Sequence, residues 1–154
     1  MTHRELCVLA ARFFRYRKSL IAPTCPYVVI ELVTATSETP DVFGWNYWTT
    51  VLVEVKVSRA DFRADFKKPW RINATDGLGE HRYYCCPKGL IKEEELPEHW
   101  GLLYESNGVI EVIKEAERQP QNASAVTAIL TSVMRREGLK QQIYDYRKKK
   151  ITDK

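Results

Sequence analysis

The 154-residue sequence lacks any long hydrophobic run. Its longest apolar stretches are short segments such as YVVI at 27–30 and TVLV at 50–53, well below the roughly 18 residues that a membrane helix needs. The N-terminal segment is interrupted by charged residues at positions 4, 5, 12 and 15, so it also lacks the uncharged core of a signal peptide. We therefore expect no membrane span and a cytoplasmic location.

Cysteine is scarce as well. The four cysteines, Cys7, Cys25, Cys85 and Cys86, include no CxxC pair, so we expect free thiols in or near the core and no disulfide framework. Hydrophobic residues make up 44% of the chain and charged residues 29%, which is typical of a globular protein. The length favours a single domain over 1–154.

The net charge of +4 is small, but the basic residues are clustered. They concentrate at 12–18, 59–71 and 135–154. This distribution fits a surface that follows nucleic-acid phosphates, and it fits ordinary solvated helix faces equally well.

Periodicity along the chain predicts helices and strands in mixed order. Apolar residues spaced by three and four predict a first helix over 4–18, and Ser58 is predicted to cap a second helix that Pro69 disrupts. Asn122 is predicted to cap a helix that Gly138 kinks or ends, and a basic C-terminal helix and tail are predicted beyond it, at about 139–154. Predicted strands cover 27–34, 41–45, 49–58, 81–87, 100–105 and 109–115, the last two joined by an Asn-Gly hairpin. This order predicts an α/β fold with a mixed central sheet flanked by helices.

The segment TVLVEVKVS contains the most informative pattern. Period-two alternation places Val51, Val53, Val55 and Val57 on one face, which we expect to be the core, and it places Glu54 and Lys56 on the other face. Charged residues in a β-branched strand resist burial unless they are paired or bind a metal. The alternative is a partly exposed surface ion pair without function.

Asp41 stands 13 residues before Glu54, at the start of the preceding predicted strand. A hairpin can bring the two carboxylates and the Lys56 ammonium to one side of the sheet. Carboxylate oxygens suit Mg²⁺ or Mn²⁺, and a metal held in this way assists phosphodiester hydrolysis. A lysine beside it can hold the attacking water or offset charge on the transition state.

Pro40-Asp41 followed by Glu54-Val55-Lys56 resembles the motif of the PD-(D/E)XK nuclease superfamily, and the order of elements is similar to the core of that superfamily. The resemblance implies a restriction-endonuclease-like core and a Mg- or Mn-dependent deoxyribonuclease. It implies that Asp41, Glu54 and the Val55 carbonyl hold the metal and that Lys56 is catalytic.

A narrower resemblance, over about 38–116, is to the MmcB-like DNA-repair proteins. It implies a role in DNA repair or in phage or bacterial DNA processing. It also implies a structural or substrate-orienting role for Asp61, Phe62, Asp65 and Lys67. A glutamate from the first helix joins the metal site in several superfamily members, and Glu5 is the candidate by analogy; a solvent-exposed Glu in the first helical turn is the simpler interpretation.

Five basic residues follow the active-site strand and are candidates for DNA phosphate contacts: Arg59, Arg63, Lys67, Lys68 and Arg71. The aromatic residues Trp45, Tyr47 and Trp48 near the predicted turn can stack on unpaired bases or fill the gap between sheet and helix. A homodimer is compatible with the last helix. The alternative function is a catalytically inactive protein that keeps the fold and binds nucleic acid or a repair partner.

Overall fold

The structure is a computed structural model that describes residues 1–19 and 22–146. In these ranges the strands are β1 (Tyr27–Ile30), β2 (Val42–Trp45), β3 (Thr50–Val55), β4 (His81–Pro87), β5 (Gly101–Ser106) and β6 (Val109–Lys114). The α-helices are α1 (His3–Tyr16), α2 (Arg59–Asp65), α3 (Pro69–Ile72) and α4 (Ala123–Arg136), and short 3₁₀ turns lie at Ala74–Asp76 and Glu93–Glu95. The elements occur in the predicted order.

The strands form one sheet in sequence order, β1 to β6. The pairs β1–β2, β2–β3 and β5–β6 are antiparallel, whereas β3–β4 and β4–β5 are parallel. The parallel connections contain α2 and α3 in one case and a 3₁₀ turn in the other. The α/β class with a mixed central sheet flanked by helices is therefore confirmed. No helix in the described ranges is both long and apolar enough to cross a bilayer.

Both faces of the sheet are covered. On one face α1 packs against Val51, Val53 and Val55, and on the other α2 and α4 pack against side chains that include Leu52 and Tyr84. Every residue of β3 is buried as a result. All four cysteines are buried and free, as predicted.

Strands β1 and β3 are shorter than predicted. The first stops at Ile30 because Glu31 adopts a positive φ of 49°, outside the extended region. The strand β3 ends at Val55, so Val57 lies beyond the sheet and is 40% exposed instead of belonging to the core. Asn107 and Gly108 both have positive φ, which is the backbone that an Asn-Gly hairpin turn requires.

The basic C-terminal helix predicted within 139–154 is absent from the described residues of that segment. The helix α4 ends at Arg136, and the described part of the segment beyond it, residues 139–146, contains no helix. Gly138 has a φ of 91°, and the Leu139 amide donates to the Met134 carbonyl, which is how a left-handed glycine closes a helix. The remaining tail residues, 147–154, lie outside the described residues.

The packing of α4 predicts a clear difference between two truncations on the same helix. Ile129 is fully buried against the sheet, whereas Met134 is 50% exposed. We expect Ile129→Ala to lower the free energy of unfolding by about 2–5 kcal/mol and Met134→Ala to lower it by less than about 1 kcal/mol, measured by urea denaturation. Equal effects of the two substitutions would show that α4 does not pack as described.

Candidate metal and catalytic site

Asp41 and Glu54 meet at one end of the β2–β3 hairpin. The last paired residues are Val42 and Val53, and one further step in the same register places Asp41 opposite Glu54. Opposed residues of an antiparallel pair lie on the same face with Cβ atoms about 4.5–5.5 Å apart. The Val55 amide donates to Asp41 Oδ2 at 2.8 Å, which fixes the aspartate beside β3.

The Val55 carbonyl lies at the same end of the hairpin as Asp41 and Glu54. The N–H and C=O of one strand residue point to the same neighbouring strand, so this carbonyl faces the side on which Asp41 lies. The three oxygen donors predicted from the sequence are thus brought to one end of the hairpin.

Glu54 and Lys56 form a buried ion pair. Their side chains are only 2% and 3% exposed, and Lys56 Nζ lies 3.0 Å from Glu54 Oε2. The alternative of a partly exposed surface pair is therefore wrong. Charged groups at this depth need partners, and the following helices supply them.

Asp65, the last residue of α2, is the second carboxylate bound to Lys56, with 3.3 Å between Oδ1 and Nζ. It also accepts from Tyr84 Oη at 2.7 Å and from Arg71 Nε at 2.8 Å. Lys68 Nζ lies 2.6 Å from Asp65 Oδ1 and 3.6 Å from Glu54 Oε2. Asp65 therefore contacts three cations, Lys56, Lys68 and Arg71.

Arg71 completes the arrangement from α3. Its guanidinium lies 3.1 Å from Glu54 Oε1 and 2.5 Å from Glu38 Oε1, and Glu38 accepts from the Leu78 amide at 2.8 Å. We call the six residues the buried charge cluster: Glu38, Glu54, Lys56, Asp65, Lys68 and Arg71. It contains three carboxylates and three cations in mutual contact.

The pKa shifts follow from these contacts. Burial favours neutral Asp65, but Arg71 and Lys56 outweigh it and hold its pKa well below the usual range. Burial likewise disfavours charged Lys56, and Glu54 and Asp65 outweigh it to raise the pKa of Lys56. Lys56 and Asp65 therefore both stay charged.

Asp41 differs from the cluster carboxylates. Burial and then the neighbouring Glu54 charge raise its pKa to about 6. The cation effect of Lys56 is outweighed, and the contact with His3 is long, at 3.5 Å from Nε2 to Oδ1. A negative charge on Asp41 is therefore incompletely compensated.

A divalent cation would fit this end of the hairpin. Within the described residues, no three His, Cys, Asp or Glu side chains are grouped so that they could hold a metal by themselves. Two opposed carboxylates and a carbonyl nevertheless provide hard oxygen donors, with water completing the coordination that Mg²⁺ requires. Such an ion would offset the Glu54 charge, which adds to the effect of burial in raising the pKa of Asp41.

Glu5 does not join the site. Its carboxylate accepts from the amide and hydroxyl of Thr2 in a capping box at the start of α1, where the side chain is exposed. This correction has a local cause, because the capping box satisfies the helix end. His3 is the residue of α1 that contacts Asp41.

The five predicted DNA-contacting residues do not form one surface. Arg71 is excluded, because its side chain is 4% exposed and contacts three carboxylates. Arg59 is paired with Glu95 at 2.5 Å, and Lys68 contacts the buried charge cluster. Arg63 and Lys67 are exposed, and their contact with DNA stays a prediction.

Comparisons with known proteins identify a structural relative but no activity. No family model matches the sequence, and no curated protein matches it. The chain is similar to the solved structure of a protein of unknown function from Silicibacter pomeroyi, with 26% identity and a TM-score of 0.54, covering 71% of this chain and 75% of that chain. The similarity supports the α/β architecture and does not bear on the chemistry.

Replacing Asp41 with Asn is expected to change how stability depends on pH. The pKa of Asp41 is about 6 when folded and about 3.9 when unfolded, so the folded state binds more protons between these values. Wild-type stability therefore loses this contribution as pH rises from about 4 to 6. Asn does not titrate and keeps an acceptor for the Val55 amide.

Urea denaturation between pH 4 and 7 measures the effect. We expect the unfolding free energy of Asp41→Asn, relative to wild type, to rise with pH by at most about 3 kcal/mol and to level off above pH 7. A difference that is constant with pH would show that Asp41 does not carry a raised pKa.

Proposed function

We propose that the protein is a cytoplasmic, Mg²⁺- or Mn²⁺-dependent deoxyribonuclease that hydrolyses DNA phosphodiester bonds in DNA repair or in phage or bacterial DNA processing. The observation that carries the proposal is the placement of Asp41 opposite Glu54, with the buried Lys56 two residues after Glu54 in the sequence. The resemblance to PD-(D/E)XK nucleases, including the MmcB-like proteins, concerns these same residues.

Asp41, Glu54 and the Val55 carbonyl would hold the metal. A bound divalent ion polarises a phosphate oxygen and lowers the pKa of bound water. Lys56 remains charged through its contacts with Glu54 and Asp65, so its role is to donate hydrogen bonds to the attacking water or to the developing charge on the phosphate. The neighbouring cluster keeps this lysine oriented.

One observation favours a second function, that of an inactive nuclease-fold protein that binds nucleic acid or a repair partner. Glu54 already has three cationic partners, Lys56, Lys68 and Arg71. Its charge is therefore compensated without a metal. In this alternative the buried charge cluster has a purely structural role.

Cleavage of labelled single-stranded, duplex and branched DNA in Mn²⁺ tests the proposal. We expect wild type to cut, and Asp41→Asn and Lys56→Ala to lose at least about 100-fold in rate, since each removes a group that acts on the reacting phosphate. Asp41→Asn is a clearer test than Lys56→Ala, because the loss of repulsion between Asp41 and Glu54 should leave the variant at least as stable as wild type. Lys88→Ala, a 66% exposed lysine outside the cluster that lies 4.0 Å from Glu111, serves as the control.

The same proteins distinguish the two functions in a thermal-shift assay. A metal that binds the folded state raises the apparent melting temperature, so Mn²⁺ should stabilise wild type more than Asp41→Asn. Cleavage that is equal in wild type and Asp41→Asn would overturn the nuclease assignment. DNA binding without cleavage or a Mn²⁺ shift would support the second function.

Lys68 predicts a further effect on metal binding. It is 39% exposed and places its ammonium 3.6 Å from Glu54 Oε2, so it competes electrostatically with a cation at that carboxylate. We expect Lys68→Ala to bind Mn²⁺ several-fold more tightly than wild type in calorimetric titrations, with Lys67→Ala unchanged. Weaker binding by Lys68→Ala would show that Lys68 supports the metal site instead.

A further inference from the structure

Two large aromatic side chains are exposed side by side at the turn between β2 and β3. Tyr47 is 85% exposed and Trp48 is 84% exposed. The sequence left open whether they fill the gap beneath a helix, and this exposure excludes that role. Most of the area of each ring is free to contact another molecule.

The turn that carries them is well fixed. Asn46 Oδ1 accepts from the Trp48 amide at 2.8 Å and from the Thr49 amide at 2.9 Å, and the Asn46 amide donates to the Thr49 carbonyl. The exposed rings are therefore presented by an ordered turn at the end of a hairpin.

The end of α1 adjoins this turn. Asn46 Nδ2 donates to the Thr24 carbonyl at 3.1 Å, and the Thr24 hydroxyl donates to the Arg17 carbonyl at 2.7 Å. Tyr16, 69% exposed, lies at this end of α1, with the Arg15 guanidinium 5.0 Å from its ring centroid. A third exposed aromatic ring and a cation are thus carried by the helix end that is hydrogen-bonded, through Thr24, to the turn of Tyr47 and Trp48.

The cations at the end of α1 are only partly neutralised by carboxylates of the described residues. The two carboxylates that contact residues at this end of the molecule are already paired, Glu115 with Arg17 at 2.6 Å and Glu80 with Arg118 at 2.7 Å. Arg15 and Lys18 are exposed and, among the described residues, have no carboxylate within ion-pair distance. Exposed aromatic rings and unpaired cations on one surface suit a ligand that offers both negative charges and flat groups for stacking.

We propose that this surface, formed by Arg15, Tyr16, Lys18, Tyr47 and Trp48, binds single-stranded DNA by stacking unpaired bases on the aromatic rings and contacting phosphates with the cations. Every unpaired base offers a face for stacking, whereas the bases of a duplex are stacked on one another. The inference rests on the proposed nuclease function for the choice of DNA as partner, and it specifies the strand state of the substrate.

The position of the surface fits this role. Thr50, which follows the turn, and Glu54 are four residues apart on β3, which at about 3.3 Å per residue corresponds to about 13 Å. The two features lie at opposite ends of one hairpin. Because both faces of the sheet are covered, a single strand that reaches from the turn to Asp41 and Glu54 would pass over the outside of the molecule and not along β3.

Fluorescence anisotropy in EDTA, where metal-dependent cleavage is prevented, tests binding alone. The probes are a labelled single-stranded oligonucleotide, the same oligonucleotide with a central run of abasic sites, and the corresponding duplex. We expect Tyr47→Ala and Trp48→Ala each to weaken single-strand binding by about 5- to 100-fold. Val109→Ala, a 65% exposed apolar residue on the other hairpin turn, should have no effect.

Abasic sites carry the same phosphates without bases, so wild type should bind the abasic probe more weakly, and Trp48→Ala should then cause little further loss. Unchanged single-strand binding by Trp48→Ala, or equal losses for duplex and single strand, would overturn the proposal. So would a wild-type dimer that Trp48→Ala converts to a monomer in sedimentation analysis. Cleavage in Mn²⁺ is scored separately, so an inactive protein whose single-strand binding requires Trp48 would refute the nuclease function and retain this surface.

Discussion

The contact between Asp65 and its cations is the interaction on which the site depends. Removing an ion from water costs several kcal/mol even after the protein relaxes, and β3 places both Glu54 and Lys56 almost completely out of solvent. That placement is sustainable only because α2 and α3 bring Asp65 and Arg71 onto the same face. The buried charge cluster therefore fixes these short helices against the sheet, and it holds Lys56 in one orientation.

The buried charge cluster is balanced in charge, and Asp41, which lies outside it, is not. Three carboxylates meet three cations there, whereas Asp41 faces Glu54 with the Val55 amide as a hydrogen-bond donor and, among the described residues, only the His3 imidazole, at 3.5 Å, as an ion-pair partner. A purely structural ion network would have no need for a fourth carboxylate whose pKa is raised by burial and then by the charge of Glu54. Strongly perturbed groups cluster at functional sites, and a carboxylate left without a close cation beside a carbonyl is an arrangement that a divalent ion satisfies.

Much of this arrangement is readable from the sequence, because it depends on local rules. Alternation in TVLVEVKVS puts Glu54 and Lys56 on one face, and hairpin geometry puts Asp41 beside them. Glu38 and Arg71 could not be predicted in the same way, since their pairing joins a loop to a helix 33 residues later. The metal-site role predicted for Glu5 by analogy is wrong, although a local signal existed. Thr2 and Glu5 have the spacing of a capping box, in which the Glu5 carboxylate accepts hydrogen bonds at the start of the helix.

The β2–β3 hairpin carries the candidate metal site at one end and the exposed aromatic turn at the other. At the Asp41 end the polar groups are buried and their geometry is set by ion pairs, which suits chemistry that needs oriented charge. At the Tyr47 end the rings are exposed on an ordered turn, which suits contacts that tolerate different sequences. Because the same two strands carry both ends, the distance between a bound base and the candidate site is set by the rise of the strands and not by a flexible linker.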